Sequence, residues 1–393
     1  MSAACAATVL ALLSATALAE DIKIGVILGF TGPIESLTPG MAESAELALK
    51  EASASGLLLG GSAVTSVRAD STCVDSAAAV AAAERLVTAD RVAAIMGADC
   101  SGVTTAIANN VAIPNGVVMV SPSATSPALS DIDDNGLFHR TAPSDARQGQ
   151  VLADVLTERG IKNVALTYTN NDYGKGLAES FTGAFKAAGG TVAISAAHED
   201  GKADYAAEVG ALAASGAKHL AVFGYVDQGG KGIIQASLDA DAFSNFILAD
   251  GMIGESLIEA IGDDLNGSIG TLPGGANDAA TRFLDYAERN GVNGDGPFRG
   301  ESYDAAALLV LAIQAAGSAE RAAIQSNMMA VANAPGEEIA VGELAKGLEI
   351  LAAGGEVNYV GATNVEFNEV GEVFGSYKEL EVKNGKFETV RVR

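Results

Sequence analysis

The stretch Ile22-Lys23-Ile24-Gly25-Val26-Ile27-Leu28 decides the fold, because it is a short apolar strand and a helical pattern of alanine and leucine follows it at residues 39–54. The same order of strand, loop and helix starts again at residues 163–168, with a helical pattern at residues 176–188. Strands that alternate with helices of this length predict parallel sheets covered on both faces. Two successive runs of this kind predict an α/β protein with two Rossmann-like lobes.

Further apolar runs continue this pattern along the chain. Shorter strands are expected at residues 63–69, 92–96, 116–120, 191–195, 219–223 and 245–248. Helical stretches are expected at residues 278–289, 302–316, 319–332 and 341–352. The last forty or so residues look like β-hairpins, with turn signals at Gly371 and Asn384-Gly385. No low-complexity linker separates the halves, which favours mainly parallel sheets joined by short hinge strands over lobes on a flexible tether.

Length and composition agree with a two-lobed globular protein. A chain of 393 residues is too long for one ordinary core, and its 49% apolar and 19% charged residues argue against disorder. The net charge is −25, from 24 Lys and Arg against 49 Asp and Glu. Phosphate backbones and anionic lipid headgroups repel so acidic a chain, so we expect no nucleic-acid and no membrane-surface partner. The charge favours solubility, and recruitment of a cationic ligand is the second interpretation.

The first nineteen residues differ from the rest of the chain. Residues 6–18 form an apolar run of thirteen residues, and Ala17-Leu18-Ala19 has the A-x-A form of a cleavage site. Because the run is too short to cross a bilayer, we interpret residues 1–19 as a signal peptide removed after Ala19, with a periplasmic mature protein. No Lys or Arg precedes the run, so either this n-region is atypical or the true start lies upstream.

The cysteines favour a disulfide, whereas the histidines do not form a metal-binding pattern. Cys5 lies within the signal segment, which leaves Cys73 and Cys100 in the mature chain. An even pair in an exported chain favours a disulfide because the periplasm is oxidising, and two free buried thiols are the alternative. The three histidines are scattered without ligand spacing, so we expect neither a metal nor another cofactor.

The motifs of common enzyme classes are absent from the sequence. Gly174-Lys175 is followed by Gly176 rather than by the Ser or Thr of a phosphate-binding loop. No G-x-S-x-G, H-E-x-x-H or repeated C-x-x-C motif occurs. We therefore expect a binding protein rather than an enzyme.

Polar residues follow the expected strands, at the place where open parallel sheets bind ligands. In the first half these are Ser101 and Ser121-Pro122-Ser123-Ala124-Thr125, and in the second half they are Asn171-Asp172-Tyr173-Gly174, Gly224-Tyr225 and Asp250-Gly251. Hydroxyl and backbone N–H groups suit a ligand carboxylate, whereas the Asp250 carboxylate suits an ammonium group, so this division favours a zwitterion. Taken singly, Ser101 could be a helix N-cap, Asp250 a turn residue and each tyrosine a rim or core residue.

These residues carry a resemblance to a known family. The chain resembles the type I periplasmic binding proteins of ABC transporters, specifically the leucine/isoleucine/valine-binding group. The matching segments occur in order along nearly the whole mature chain: residues 22–26, Thr31-Gly32-Pro33, Ile95-Met96-Gly97, residues 121–125, Phe138-His139-Arg140-Thr141, Ser144-Asp145, residues 172–176 and Gly224-Tyr225. The resemblance implies the type I periplasmic binding protein fold, with residues 20–141 and 273–368 in lobe 1 and residues 142–272 and 369–393 in lobe 2.

Carried over by position, the resemblance implies a carboxylate site in lobe 1. Ser101 resembles the family serine that holds the ligand carboxylate. It directly follows Cys100, as the family serine follows the second cysteine of a disulfide, which implies pairing of Cys100 with Cys73. In Ser123-Ala124-Thr125 the serine resembles a position that binds through its backbone. The threonine resembles one that contacts both the carboxylate and the ammonium group of the ligand.

The resemblance implies an ammonium site in lobe 2, with two departures from the family pattern. Tyr173 and Tyr225 match the two lobe 2 tyrosines, and Asp250 falls where leucine-binding relatives have a glutamate that pairs with the ammonium group. Aspartate is one methylene shorter, so this contact would be repositioned or bridged by water. Leu37-Thr38 stands around the place where relatives have an aromatic that packs on the ligand side chain, and Phe298 resembles a residue near the pocket.

The expected function follows from this resemblance. It implies a monomeric periplasmic receptor that binds a branched-chain or other hydrophobic amino acid between its lobes and delivers it to an ABC permease in the inner membrane. One alternative keeps the fold and changes the ligand to an amide, a urea, a short peptide or an aromatic carboxylate. Another is a sensor that passes ligand occupancy to a signalling partner without transport.

Overall fold

The fold is built around two sheets whose strands are mainly parallel. The computed structural model describes residues 21–275, 277–294 and 296–393. The signal peptide expected at residues 1–19 lies outside the described residues. The α/β architecture with two lobes, predicted from the alternation of strands and helices, is confirmed.

The first sheet consists of five parallel strands. They are β1 (Asp21–Leu28), β2 (Ala63–Asp70), β3 (Ala94–Gly97), β4 (Met119–Ser121) and β5 (Phe138–Arg140). Their order in space is β2-β1-β3-β4-β5, so a topological switch point lies between β1 and β3. Gly97 ends β3 with φ 126°, and a Cβ there would lie 2.1 Å from the carbonyl oxygen of Ile27. Only glycine therefore lets the chain leave β3 so close to β1.

The second sheet repeats this order and adds a hairpin. Its parallel strands are β6 (Asn163–Thr169), β7 (Thr191–His198), β8 (His219–Phe223), β9 (Phe246–Leu248) and β10 (Ile269–Pro273). They lie in the order β7-β6-β8-β9-β10, which places a second switch point between β6 and β8. Near the C-terminus of the chain, β13 (Tyr377–Lys383) pairs antiparallel with β10, and β14 (Lys386–Val392) pairs antiparallel with β13.

Helices cover both sheets. Within the described ranges they are α1 (Thr38–Ser55), α2 (Ser76–Thr88), α3 (Ser101–Ile107), α4 (Asp145–Glu158), α5 (Asp172–Ala187), α6 (Ala206–Ala213), α7 (Gly229–Asp239), α8 (Glu255–Ile261), α9 (Asp278–Arg289), α10 (Arg299–Ala316), α11 (Arg321–Ala332) and α12 (Leu344–Ala352). Helix α10 is buried along nearly its whole length and packs on α1, α11 and α12. In the described part of the chain no single helix is long and apolar enough to cross a membrane. Only α10 and α11 together reach that length and composition, and a 112° bend separates them.

The structure extends some expected elements and adds three short strands. Helix α5 begins at Asp172, four residues before the predicted start, because the Asn171 side chain accepts a hydrogen bond from the Gly174 N–H and caps the helix. Strands β5 and β10 were not predicted, and neither was β11 (Glu337–Ala340), which pairs with β12 (Val357–Gly361). These three short strands contain polar or charged residues, so they lack the continuous apolar run that predicted the equally short β3, β4 and β9.

A disulfide joins Cys73 and Cys100, as predicted. The Sγ–Sγ distance is 2.04 Å, and the two Cα atoms are 5.1 Å apart. The bond ties the loop after β2 to the residue that precedes α3. It therefore restrains the part of the first sheet from which Ser101 projects.

The chain crosses between the sheets in three places. It leaves the first sheet after β5, returns after β10 and joins the second sheet again at β13. We propose that the lobes divide at these crossings, as the resemblance implied, with residues 20–141 and 273–368 in lobe 1. In the last crossing, Glu372 forms an isolated β-bridge with Arg140, and Val373 forms one with Phe367. Tyr377 then begins the strand that pairs with the second sheet.

All three crossings line one cavity that also receives Glu301. Its walls include Thr141 from the first crossing, Gly274 from the second and Gly375 from the third. The Glu301 side chain enters from the first turn of α10, and its residue is only 6% exposed. Burial raises the pKa of Glu301 to about 7, and the nearby charge of Lys378 partly opposes this.

The raised pKa of Glu301 predicts a loss of stability as the pH rises. The folded state holds the proton more tightly than the unfolded chain. The favourable contribution is therefore complete below the ordinary pKa of 4.5 and disappears as the pH approaches 7. A shift of this size corresponds to about 3 kcal/mol. We expect Glu301→Gln to raise the melting temperature above that of the wild type at pH 8 but not at pH 4.5. The exposed Glu349→Gln serves as the control, and equal curves for Glu301→Gln and wild type would contradict the prediction.

Candidate functional site

A cavity lies where the carboxyl ends of the two sheets face each other. It encloses about 350 Å³ of space not filled by atoms. The residues that line it are Ile34, Leu37, Met41, Asp99, Cys100, Ser101, Ser123, Tyr173, Tyr225, Asp250, Gly251 and Phe298. They follow β1, β3, β4, β6, β8 and β9 or begin the helices after them, apart from Phe298, which precedes α10. The position next to both switch points is the one expected for ligand binding in such sheets.

Lobe 1 supplies hydroxyl groups and backbone N–H groups to the cavity. Ser101 is the first residue of α3, and its Oγ accepts a hydrogen bond of 3.1 Å from the backbone N–H of Ser126. The Ser123 hydroxyl donates to the carbonyl oxygen of Asp99 at 3.1 Å. The N–H groups in the first turn of a helix have no partner within that helix, so α3 presents donors beside Ser101.

Three residues expected at the site do not line the cavity. Thr38 is fully buried, and its hydroxyl donates to the carbonyl oxygen of Gly29 at 3.1 Å, so its role in the structure is to hold the loop after β1. Ala124 and Thr125 are also fully buried, behind Ser123. The Thr125 hydroxyl makes no hydrogen bond of ordinary geometry in the described part of the chain, and the Asp145 carboxyl lies beside it. Ligand contacts by Ala124 and Thr125 stay a prediction.

Lobe 2 supplies two tyrosines and a carboxylate that contact one another. The Tyr173 hydroxyl donates to Asp250 Oδ1 at 2.7 Å and accepts from the Gly251 N–H at 3.2 Å. The rings of Tyr173 and Tyr225 are stacked, with centroids 5.3 Å apart and planes inclined by 17°. The Tyr225 hydroxyl accepts from the Asn171 side chain at 3.3 Å. Both rings are thus held in place on the lobe 2 wall.

Asp250 is a buried carboxylate at the cavity surface. The residue is 2% exposed, and burial raises its pKa above the ordinary value, although hydrogen bonds from Tyr173, Gly251 and Gln148 act in the opposite direction. Among the described residues that line the cavity there is no Lys, Arg or His. The cavity therefore lacks a positive charge that could pair with Asp250.

One acidic and two apolar residues of the cavity were not predicted from the sequence. Asp99 accepts hydrogen bonds from the Gly29 N–H at 2.6 Å, the Cys100 N–H at 2.9 Å and the Ser71 hydroxyl at 3.0 Å. Its position directly after β3 is the signal that could have identified it. Ile34 and Met41 come from the loop after β1 and from α1. With Leu37 and Phe298, which were predicted near the pocket, they form an apolar wall.

Comparison with known proteins places this site in a family. The sequence profile described as "Periplasmic binding protein" matches residues 21–343. The chain belongs to this family.

Curated and solved relatives agree with this membership. The Leu/Ile/Val-binding protein BraC3 of Rhizobium johnstonii is 31% identical over 351 residues, which cover 87% of this chain and 92% of that protein. The leucine-binding protein LivK of Thermotoga maritima is 26% identical and has a TM-score of 0.76, covering 94% of this chain and 98% of its own. A solute-binding protein of R. palustris, solved with 4-hydroxybenzoate, is 19% identical with a TM-score of 0.76 over 95% of this chain and 97% of its own, which shows a shared fold.

In this periplasmic binding protein the two lobes touch across the cavity, so the structure represents a closed form. Asp227 from lobe 2 is at the centre of the contact: its N–H donates to the Pro33 carbonyl oxygen at 2.9 Å, and its Oδ2 accepts from the Ser36 N–H at 2.9 Å. The Ser256 hydroxyl holds the other carboxylate oxygen at 2.7 Å. Leu37 packs on buried residues of both lobes.

Removal of the Asp227 carboxylate should shift the protein towards an open form. A hydrogen bond of this kind at a partly exposed rim is worth about 1 kcal/mol, which is roughly a fivefold change in the balance of open and closed forms. We expect Asp227→Ala to increase the radius of gyration of the ligand-free protein in small-angle X-ray scattering. Glu259→Ala removes the same charge from the exposed face of α8 and should leave the radius unchanged. Equal radii for Asp227→Ala and wild type would contradict the role of this contact.

Proposed function

We propose that this protein is the solute receptor of an ABC importer and binds a branched-chain or other hydrophobic amino acid in the cavity between its lobes. One observation carries the proposal: a buried carboxylate, Asp250, shares a small cavity with an apolar wall and has no cationic partner among the described residues that line it. A cation that also donates hydrogen bonds strongly stabilises a buried carboxylate. An α-ammonium group with an aliphatic side chain supplies both the charge and the apolar surface.

The two polar walls would hold the two ends of the ligand. We assign the ammonium group to Asp250, with Tyr173 and Tyr225 beside it. The ligand carboxylate would accept hydrogen bonds from Ser101 and from the segment Ser123-Ala124-Thr125, in which Ser123 contributes its backbone. Tyr173 already donates to Asp250 at 2.7 Å, so the carboxylate is oriented before the ligand arrives.

The apolar wall would select the side chain of the ligand. Ile34, Leu37, Met41 and Phe298 offer only hydrocarbon, thioether and aromatic surface to the cavity. Burial of each methylene group of the ligand on such a wall is worth about 0.8 kcal/mol, which favours aliphatic over polar side chains. The names of the Rhizobium and Thermotoga relatives, which refer to leucine, isoleucine and valine, support the same ligand class.

We extend the proposal to the cellular role of the protein. It would act as a monomer in the periplasm after removal of residues 1–19 and would release its ligand to a membrane permease. It would bind its ligand without turnover, in line with relatives that are named as binding proteins.

An aromatic carboxylate is the second candidate ligand. The stacked pair of Tyr173 and Tyr225 could pack on an aromatic ring, and a protein of the same fold was solved with 4-hydroxybenzoate. Such a ligand has no cationic group to pair with Asp250. Removal of the Asp250 charge should therefore weaken the binding of an amino acid but not that of an aromatic carboxylate.

The test combines a ligand screen with removal of one charge. We expect aliphatic amino acids to raise the melting temperature of the wild type and to bind in titration calorimetry, whereas benzoates should not. Loss of a buried charge partner costs about 2 to 5 kcal/mol, so Asp250→Asn should weaken amino-acid binding at least thirtyfold while circular dichroism stays unchanged. Asp239→Asn, on the exposed end of α7, is the matched control. A benzoate response without an amino-acid response, or full affinity in Asp250→Asn, would contradict the proposal.

A further inference from the structure

A second buried carboxyl group lies directly behind Asp250. Asp145 is the first residue of α4 and is fully buried. It does not line the cavity, and its Oδ2 has no hydrogen-bond partner in the described part of the chain. The cavity therefore has an acidic group in the layer behind its wall, in addition to Asp99 and Asp250 on the surface.

The side-chain amide of Gln148 joins the two carboxyl groups. In the amide orientation that satisfies all its neighbours, the nitrogen donates to Asp145 Oδ1 at 2.9 Å and to Asp250 Oδ1 at 3.1 Å. The amide oxygen accepts from the Asp250 N–H at 3.2 Å and from the Thr271 hydroxyl at 3.0 Å. One nitrogen thus contacts a carboxyl oxygen of each residue, which keeps the two acids close together.

Two buried carboxyl groups that contact the same amide nitrogen do not both ionise at neutral pH, because their like charges repel each other with little solvent between them. Burial and the charge of Asp250 raise the pKa of Asp145 well above its ordinary range. The ligand-free pair therefore holds one proton.

The other titratable groups around the pair do not replace this proton, because the tyrosines are neutral and the arginines have other partners. Tyr173 from α5 and Tyr377 from β13 have pKa values raised well above the ordinary value by burial, so both stay neutral. The charge of Arg140 lowers the pKa of Asp145, but Arg140 is already paired with Glu372. Arg147 lies over the ring of Phe374, and its charge lowers the pKa of Tyr377 less than burial raises it.

We propose that Asp145 and Asp250 form a proton-sharing pair and that the ammonium group of the ligand replaces the shared proton on binding. On binding, the O–H bond of the protonated carboxyl group breaks, its electron pair stays on the carboxylate, and the proton leaves to water. The ligand forms no covalent bond. Asp145 is a positioning residue in this scheme, since it acts through Asp250. The inference rests on the proposed function, because it needs a ligand with a positive charge.

Because the ammonium group of the ligand replaces a proton, the direction in which the affinity changes with pH is determined. The ammonium group of the ligand favours the ionised pair and lowers its pKa, so binding releases a proton between the pKa of the bound pair and that of the free pair. Affinity then rises with pH across this window, by at most tenfold per pH unit, and is constant above it. A ligand without a cationic group would leave the proton in place and bind without this dependence.

The experiment counts protons released on binding. Titration calorimetry of leucine into the wild type, in buffers of different ionisation enthalpy at several values between pH 5 and pH 8, should give release of up to one proton per leucine. At pH 7.5 Asp145→Asn should bind leucine with no release, because Asp250, whose pKa burial raises to about 6, is already ionised there without a carboxyl partner. Glu301→Gln removes a different buried carboxyl group with a raised pKa, at the crossings and away from the cavity, and should release protons as the wild type does.

Difference infrared spectroscopy supplies a readout that needs no variant. Addition of leucine to the wild type should remove the carbonyl band of a protonated carboxylic acid, even if Asp145→Asn fails to fold. The inference is overturned by leucine binding without proton release, by release at pH 7.5 that persists in Asp145→Asn, or by release that disappears in Glu301→Gln. Absence of binding by any amino acid would refute the proposed function and this inference together, whereas binding heat that does not depend on the buffer would refute the inference alone.

Discussion

Arg140 joins the crossings between the lobes to the loop beside the cavity. Its guanidinium group pairs with Glu372 on the last crossing and donates to the carbonyl oxygens of Ala124 at 3.1 Å and Ser126 at 2.9 Å, as well as to the Ser130 hydroxyl. A buried guanidinium group is tolerated only when its donors are satisfied, and loss of either member of such a pair leaves an uncompensated charge at a cost of about 3 to 5 kcal/mol. The positions of two crossings and of one binding loop therefore depend on the same cation.

The two walls of the cavity are consequently fixed by different means. On the lobe 1 side, the loop held by Arg140 places the Ser126 N–H on the Ser101 hydroxyl, so the donors there are set by the backbone. On the lobe 2 side, Tyr173 sets the orientation of the Asp250 carboxylate through a side-chain contact. Closure brings together two surfaces that are each already ordered, which lowers the entropy lost on binding.

The sequence predicts the repeated strands and helices of this molecule better than it predicts contacts between residues that are distant in the chain. The alternation of apolar strands and helices predicted both sheets, and the rule that ligands bind at strand ends predicted Ser101, Ser123, Tyr173, Tyr225 and Asp250 near one cavity. Asp99 also stands at a strand end, but its bonds to Gly29 and Ser71 come from distant parts of the chain. The approach of Asp145 to Asp250 depends on how the first crossing delivers α4 against β10, and no local pattern encodes that.

The three crossings of the chain between the lobes also limit the order in which the molecule can complete its folding. Helix α10, which fills the interior beside the first sheet, is synthesised after the parallel strands of the second sheet, and the second sheet receives β13 and β14 only from the last residues of the chain. Neither half is a continuous segment, so neither can close its core while the C-terminal part is still on the ribosome. Contacts between such distant residues form slowly, because a long loop must be closed first. Lobe 1 can therefore complete its core only after α10 has been synthesised, and the second sheet is complete only after β13 and β14 have been synthesised.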